Sequence, residues 1–417
     1  MYVIEPKMKW EEDYDKDIID GSVTGPSVDY SLLETTHPQL QTSVPENYPP
    51  LETLANILER WPQDLLDNPP VPFEERLMHF DCTDPVQMEV ALLYRKSELP
   101  FKVYNVPEII EAGKKWDDDE YLQAGFNESI RRRMKMRGEM VAHKAKHKVK
   151  VRGNGGKKKK KYLGSFGHAE ESNSNFFAFF IPRRWKIKAM GQPPTMGVDW
   201  PYIRWAKHAR YADHVSLSAD EKHFYFQAGV DQSERFAKRE EHSFISRDLP
   251  SFGGPLENFF MFNAHESSGV QCRFGERGVT AASHYDTGRN MVGMILGAKR
   301  YILSPPIECP KMGIETNKKH PLFRHSILNF GRLGINSTTP EIEKEWLKIA
   351  GGAMSVETVV KRGEVLYIPS NWFHYITSLM KSAQCNTRSG DDLIGTERFG
   401  NQQTVFDCVG DSFDEMD

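Results

Sequence analysis

Ala282-Ser283-His284-Tyr285-Asp286-Thr287-Gly288-Arg289-Asn290 decides how this chain is read, together with Trp372-Phe373-His374 far downstream. In an extended strand residues i and i+2 point to the same face, so the His284 imidazole and the Asp286 carboxylate can converge on one ion. His374 offers a third donor. Two neutral imidazoles and one carboxylate on one side of an ion suit Fe(II), and they leave the opposite positions open for a bidentate cosubstrate and oxygen.

Spacing alone does not single out this pair. His79-Phe80-Asp81 has the same pattern, and a chain with 14 histidines is expected to show one such pair by chance. Either pair could be a surface turn or a structural histidine, so the surroundings must separate them. After His284 comes the apolar run Asn290-Met291-Val292-Gly293-Met294-Ile295-Leu296, then Gly297-Ala298, then Lys299-Arg300-Tyr301-Ile302-Leu303, closed by Pro305-Pro306. This predicts a hairpin of two buried strands, with Lys299 the cation available to point inward. Nothing comparable follows His79. Downstream, Lys361-Arg362-Gly363-Glu364 reads as a turn and Val365-Leu366-Tyr367-Ile368 as a strand. Pro369-Ser370-Asn371 is a second turn that delivers Trp372-Phe373-His374-Tyr375-Ile376 as the next strand. His374 then faces the interior if Ile376 does.

On these residues the chain resembles the JmjC or cupin-like Fe(II)- and 2-oxoglutarate-dependent oxygenases, in particular the small JmjC hydroxylases of the type that inhibits hypoxia-inducible factor. The resemblance rests on His284-Tyr285-Asp286, on the run from Gly297 to Pro306, and on Gly363-Glu364-Val365-Leu366-Tyr367-Ile368-Pro369 ending in Trp372-Phe373-His374. It implies a mainly β fold with flanking helices around a double-stranded β-helix, or jelly roll. It also implies that His284, Asp286 and His374 hold Fe(II). Lys299 stands where the family places the lysine that pairs with the distal carboxylate of 2-oxoglutarate, and Tyr225 resembles a tyrosine that shares it. Asn290 and Asn386 match asparagines near the metal-bound end of the cosubstrate. Ala281 departs from the pattern: many relatives carry threonine there, and this chain has Thr280 and Ser283 on either side.

The composition is that of a soluble globular protein: 417 residues, 39% hydrophobic, 11% aromatic and 27% charged. No apolar run reaches membrane-spanning length, and the first twenty residues lack the basic-then-apolar layout of a secretory signal. The five cysteines, Cys82, Cys272, Cys309, Cys385 and Cys408, are scattered, odd in number and without a C-x-x-C pair. They predict neither a disulfide framework nor a zinc site, and a reducing compartment, cytoplasmic or nuclear, fits them. An anchor upstream of residue 1 stays open.

In chain order, residues 1–95 read as an N-terminal arm with short helices. Leu51, Leu54, Ile57, Leu58 and Trp61 mark one helix face that stops at Pro62, and Asp84-Pro85 opens a helix running through Tyr94. Residues 96–400 form the cupin-like catalytic domain, with a basic insertion at about 128–171, and 401–417 form an acidic tail. Within the insertion, residues 131–161 hold fifteen Lys or Arg against one acid, Glu139, although the whole chain carries −4. A basic two-stranded ribbon and a solvated loop are equally weighted readings, and either could attract an acidic partner or nucleic acid. Phe176-Phe177-Ala178-Phe179-Phe180 predicts a buried strand, 201–212 a helix, His223-Phe224-Tyr225-Phe226-Gln227 a strand, and 340–349 a helix capped by Thr339.

By resemblance, the expected function is an Fe(II)/2-oxoglutarate dioxygenase that hydroxylates a protein or peptide side chain and releases succinate. An RNA or tRNA hydroxylase and a histone lysine demethylase of the same fold are alternatives. A non-catalytic cupin-like binding module is the reading from a different class.

Overall fold

Strand pairing divides the sheet structure into two large layers, with one short pair beside them. In chain order the strands are β1 (Thr35–Thr36), β2 (Glu52–Thr53), β3 (Phe73–Glu74), β4 (His79–Asp81), β5 (Phe101–Tyr104), β6 (Asn175–Phe180), β7 (Thr195–Trp200) and β8 (His223–Val230). They continue as β9 (Val270–Gly275), β10 (Thr280–Tyr285), β11 (Asn290–Leu296), β12 (Ala298–Ser304), β13 (Met354–Lys361), β14 (Val365–Ile368), β15 (Phe373–Ser378) and β16 (Ser382–Arg388). One sheet has the order β10-β15-β12-β13-β2, and the other β4-β5-β14-β11-β16-β9-β8-β6-β7. The last eight strands are thus shared four and four between facing layers, which makes the core a jelly roll.

The computed structural model describes residues 29–62, 66, 68–127, 175–180, 195–214, 223–230, 243–254, 256–264, 267, 269–316, 323–332, 341–390, 399, 400, 404 and 408. The expected basic ribbon at 131–161, the cap Thr339-Pro340 and most of the acidic tail lie outside them.

Period-two alternation builds both faces of each core strand. On β16, Gln384, Asn386 and Arg388 line an internal cavity, while Ala383 and Cys385 join the apolar core behind the sheet. On β9, Arg273 lines the cavity between Cys272 and Phe274, both fully packed. β11 is buried at all seven positions because it is covered twice. Asn290 and Val292 look into the cavity, and Gly293 lies against Ile109 and Phe252 outside it. That outer core is aromatic, with Trp116, Phe126, Trp205 and Phe274 among its members.

The helices Leu54–Arg60, Pro85–Lys96, Pro107–Trp116, Tyr202–Ala212 and Glu341–Gly351 flank the sheets. Pro85–Lys96 starts as its sequence suggests: the Asp84 carboxylate accepts from Val86 N at 2.9 Å, and Pro85 takes the first position, where no N–H is needed. Residues before 96 join the same sheets, because β4 pairs in parallel with β5 and β2 pairs with β13. No helix among the described residues is long and apolar enough to cross a membrane.

Two expectations need correction. First, β11 and β12 are not a hairpin: β11 pairs with β14 and β16, and β12 pairs with β13 and β15. Two buried runs around a glycine look alike in sequence whether the chain folds back or crosses to the facing layer, and only the distant partner strands decide. Gly297 makes the crossing at φ +67°, and a Cβ there would meet the Lys381 carbonyl oxygen at 2.2 Å. Gly297→Ala is therefore expected to destabilise the fold by about 2–4 kcal/mol, read as a lower urea midpoint at unchanged slope.

Second, four of the five cysteines are paired, as Cys272–Cys385 and Cys309–Cys408. Their separations of 113 and 99 residues carry no local signal. For the first pair sheet register supplies it instead, setting Cys272 directly opposite Cys385 between β9 and β16. The cysteines therefore no longer support a reducing compartment.

Candidate active site

β10 and β15 are antiparallel neighbours in which His284 stands directly opposite His374. The two rings are 4.1 Å apart between centroids. Asp286 follows the end of β10, and its backbone carbonyl accepts from Asn371 N at 2.9 Å, which ties it to the turn before β15. Donor atoms of His284, Asp286 and His374 all lie within 4.8 Å of one another.

The unused ring nitrogens fix the tautomers. His284 Nδ1 is 2.8 Å from the Ala282 carbonyl oxygen, and His374 Nδ1 is 3.0 Å from that of Trp372. A carbonyl only accepts, so each Nδ1 carries the proton and each Nε2 keeps its lone pair. Burial lowers the pKa of both imidazoles, and for His284 the neighbouring His374 and His325 lower it further. Both rings are neutral at neutral pH, and with the Asp286 carboxylate they form a donor set that could hold a divalent ion on one side.

The cavity beside this cluster has a volume of ≈ 290 Å³, the lower end of the range for small-molecule sites. Tyr225, Asn290, Lys299 and Asn386 all line it, as do His284, His374 and Ile376. Asp286 lies outside this lining, its Oδ2 3.7 Å from His374 Nε2. Lys299 is 4% exposed. Burial and then the Arg273 charge push its pKa down to about 7. No carboxylate pairs with Lys299 among the described contacts, so the cavity holds a desolvated cation site suited to an anion. Asn386 Nδ2 donates to Asn290 Oδ1 at 3.2 Å, joining β16 to β11 next to the ion cluster.

Several cavity residues escaped the sequence reading. Arg273 is half-buried on β9, with its pKa pushed down to about 10 by desolvation and then by Arg388. The alternation of Val270, Cys272 and Phe274 with Gln271 and Arg273 was a usable signal for it. Arg388, two positions after Asn386 on the same strand face, was reachable by the same parity. His325 had no such signal. It comes from the β12–β13 connection, where Ser326 N donates to the Ser283 carbonyl at 2.7 Å and the His325 ring stacks on His284 at 4.6 Å. At the position of the missing threonine, Ala281 and Thr280 line the cavity, while Ser283 is buried outside the lining.

His79, the competing His-x-Asp residue, is structural. Its Nδ1 is 3.2 Å from His37 Nδ1, and its Nε2 is 3.2 Å from Glu364 Oε1. Glu364 in turn holds the buried Lys102.

A jelly roll with two imidazoles, a carboxylate and a cavity lined by Lys299 between its layers defines a cupin of the JmjC type. The chain belongs to the cupin-like domain family, whose profile matches residues 90–388, the span that holds all eight core strands. Over 180 residues it is 25% identical to the tRNA wybutosine-synthesizing protein 5 of Mus musculus, a match covering 43% of this chain and 50% of the mouse protein. The Homo sapiens protein of that name is 24% identical over 162 residues, 39% of this chain and 45% of its own length. The Jumonji C domain-containing protein 5 of Drosophila melanogaster is 23% identical over 109 residues, 26% of this chain and 24% of its own. The chain spans about half the length of the first of these relatives, and less of the last.

Proposed function

We propose that this chain is an Fe(II)- and 2-oxoglutarate-dependent oxygenase that hydroxylates a side chain of a protein substrate. One observation carries the reading: a cluster of two histidines and one carboxylate borders a cavity lined by the buried Lys299 and the half-buried Arg273. His284, Asp286 and His374 would hold the iron. Lys299, Arg273 and Tyr225 would hold the distal carboxylate of 2-oxoglutarate, with Asn290 and Asn386 beside its metal-bound end. A dianion offsets the cost of keeping these cations out of water, which makes the pocket selective. When bound, iron with the keto acid and dioxygen supplies the oxidation of a C–H bond to C–OH, and 2-oxoglutarate leaves as succinate and carbon dioxide. The chain's own contribution is position and dryness, with Val292, Ile368 and Ile376 forming apolar wall.

This pocket gives cosubstrate binding a defined pH dependence. Lys299 titrates at about 7 in the free cavity, and a carboxylate beside it raises that value. Binding should take up close to no proton at about pH 6 and approach about one proton at about pH 8.5, so affinity falls as pH rises past 7. Calorimetry in buffers of different ionisation enthalpy reads this uptake directly. An uptake that stays at zero across the range removes Lys299 from the pocket's chemistry.

A second acceptor class is an RNA nucleoside. Two of the relatives above are named for tRNA wybutosine synthesis, and residues 131–161 carry the basic excess that phosphates require. Succinate release against pooled peptides and against pooled tRNA separates the two. Peptide-stimulated release supports the first reading, and release stimulated by tRNA alone replaces it with the second.

A further inference from the structure

The Asp286 carboxylate already has a cationic neighbour. Arg388 Nη2 lies 2.6 Å from Asp286 Oδ2, the same oxygen that faces His374 Nε2 at 3.7 Å. The contact is a close ion pair and not an aligned hydrogen bond. Arg388 reaches it from the facing layer, at the end of β16, whereas Asp286 follows β10. Its side chain is about 30% exposed and lines the same cavity as Lys299. Its Nε–H is buried with no acceptor facing it among the described residues. The guanidinium therefore has one edge on the carboxylate and one buried donor unspent. A divalent ion on that oxygen would repel this cation at short range.

We propose that Arg388 is a counter-ion latch on the metal site: it holds Asp286 before the ion arrives, yields that oxygen to the ion, and turns its donors to the carboxylate of the anionic cosubstrate. The inference rests on the reading of the cavity given above. Before the ion binds, Asp286 neutralises Arg388, so the guanidinium attracts an anion weakly. Once the ion takes Asp286, a freed guanidinium sits in the cavity that the cosubstrate enters, and charge-assisted hydrogen bonds favour their pairing. The latch therefore orders binding, ion first and cosubstrate second. It also spares Asp286 from standing as a buried, unpaired anion. A purely orienting role, with Arg388 on the other carboxylate oxygen while the ion is bound, has the opposite sign, because loss of Arg388 would then weaken the ion.

Co(II) titration of the metal-free full chain, followed by visible absorption, reads the sign. Arg388→Met is expected to tighten Co(II) about tenfold without 2-oxoglutarate, the scale of a partly exposed charge pair, and to shrink the extra tightening that 2-oxoglutarate gives. Arg388→Lys, which keeps the charge, should stay near the native value. Unchanged or weaker Co(II) binding in Arg388→Met overturns the latch, and Arg388→Gln carries the same test if the methionine variant does not fold. A native chain that takes up no Co(II) removes the site reading and the latch together. Native uptake without the gain removes the latch alone.

Discussion

His374→Ala is expected to lower iron-dependent turnover by about a thousandfold or more while the chain stays folded. On the proposed reading the imidazole is one of three donors, and the remaining two would not keep an ion against water and buffer. Its loss to the fold is small by comparison, about 1–2 kcal/mol, since the ring's polar edge looks into a cavity and what is given up is its Nδ1–H bond to the Trp372 carbonyl and its contact with the His284 ring. Metal content per chain, circular dichroism and turnover measured together separate loss of the ion from loss of the fold. His79→Ala is the control. It should keep its metal and turnover, and show a lower melting temperature because His79 bridges His37 and Glu364. If the 79 variant loses the metal, the assignment between the two His-x-Asp pairs is wrong.

Lys299→Met should weaken 2-oxoglutarate by about 2–4 kcal/mol, the range for removing one member of a buried, hydrogen-bonded charge pair. The same substitution is expected to raise the melting temperature of the ligand-free chain. In that state Lys299 is desolvated, repelled by Arg273 and without a carboxylate partner among the described contacts. An apolar side chain of similar length removes those costs. A structural lysine would behave in the opposite way, losing stability and leaving cosubstrate KM unchanged. Thermal unfolding without ligand and steady-state KM for 2-oxoglutarate therefore test one claim from two sides.

What could be read from the sequence was whatever depends on local parity. The spacing of His284 and Asp286 put them on one side of an extended chain, although β10 ends at Tyr285 and Asp286 follows it, and His374 and Ile376 share a face of β15, so what remained was to bring two strands together. Their register, His284 opposite His374, does so. Lys299, Tyr225, Asn290 and Asn386 came by resemblance to a family, and all four line one cavity. The features that escaped are made by pairings between distant segments. The crossing at Gly297 depends on β13 to β16, the Cys272–Cys385 bond on β9 lying beside β16, and the Arg388–Asp286 contact on two facing layers. His325 depends on a connection that adds itself to the edge of β10. None of these leaves a periodicity or a motif in the residues that make them. The helix and strand expectations fared better because their signals are short-range, as with Asp84-Pro85 opening Pro85–Lys96 and Pro201 preceding Tyr202–Ala212.

The most direct test of the central claim is calorimetric titration of 2-oxoglutarate into the full chain loaded with Mn(II), an oxygen-stable stand-in for Fe(II) at a site of this donor type. Saturable binding at about one 2-oxoglutarate per chain, lost in His374→Ala and strongly weakened in Lys299→Met, is the expected result. Absence of saturable binding by the native, metal-loaded chain would contradict it and leave the fold without the chemistry proposed here.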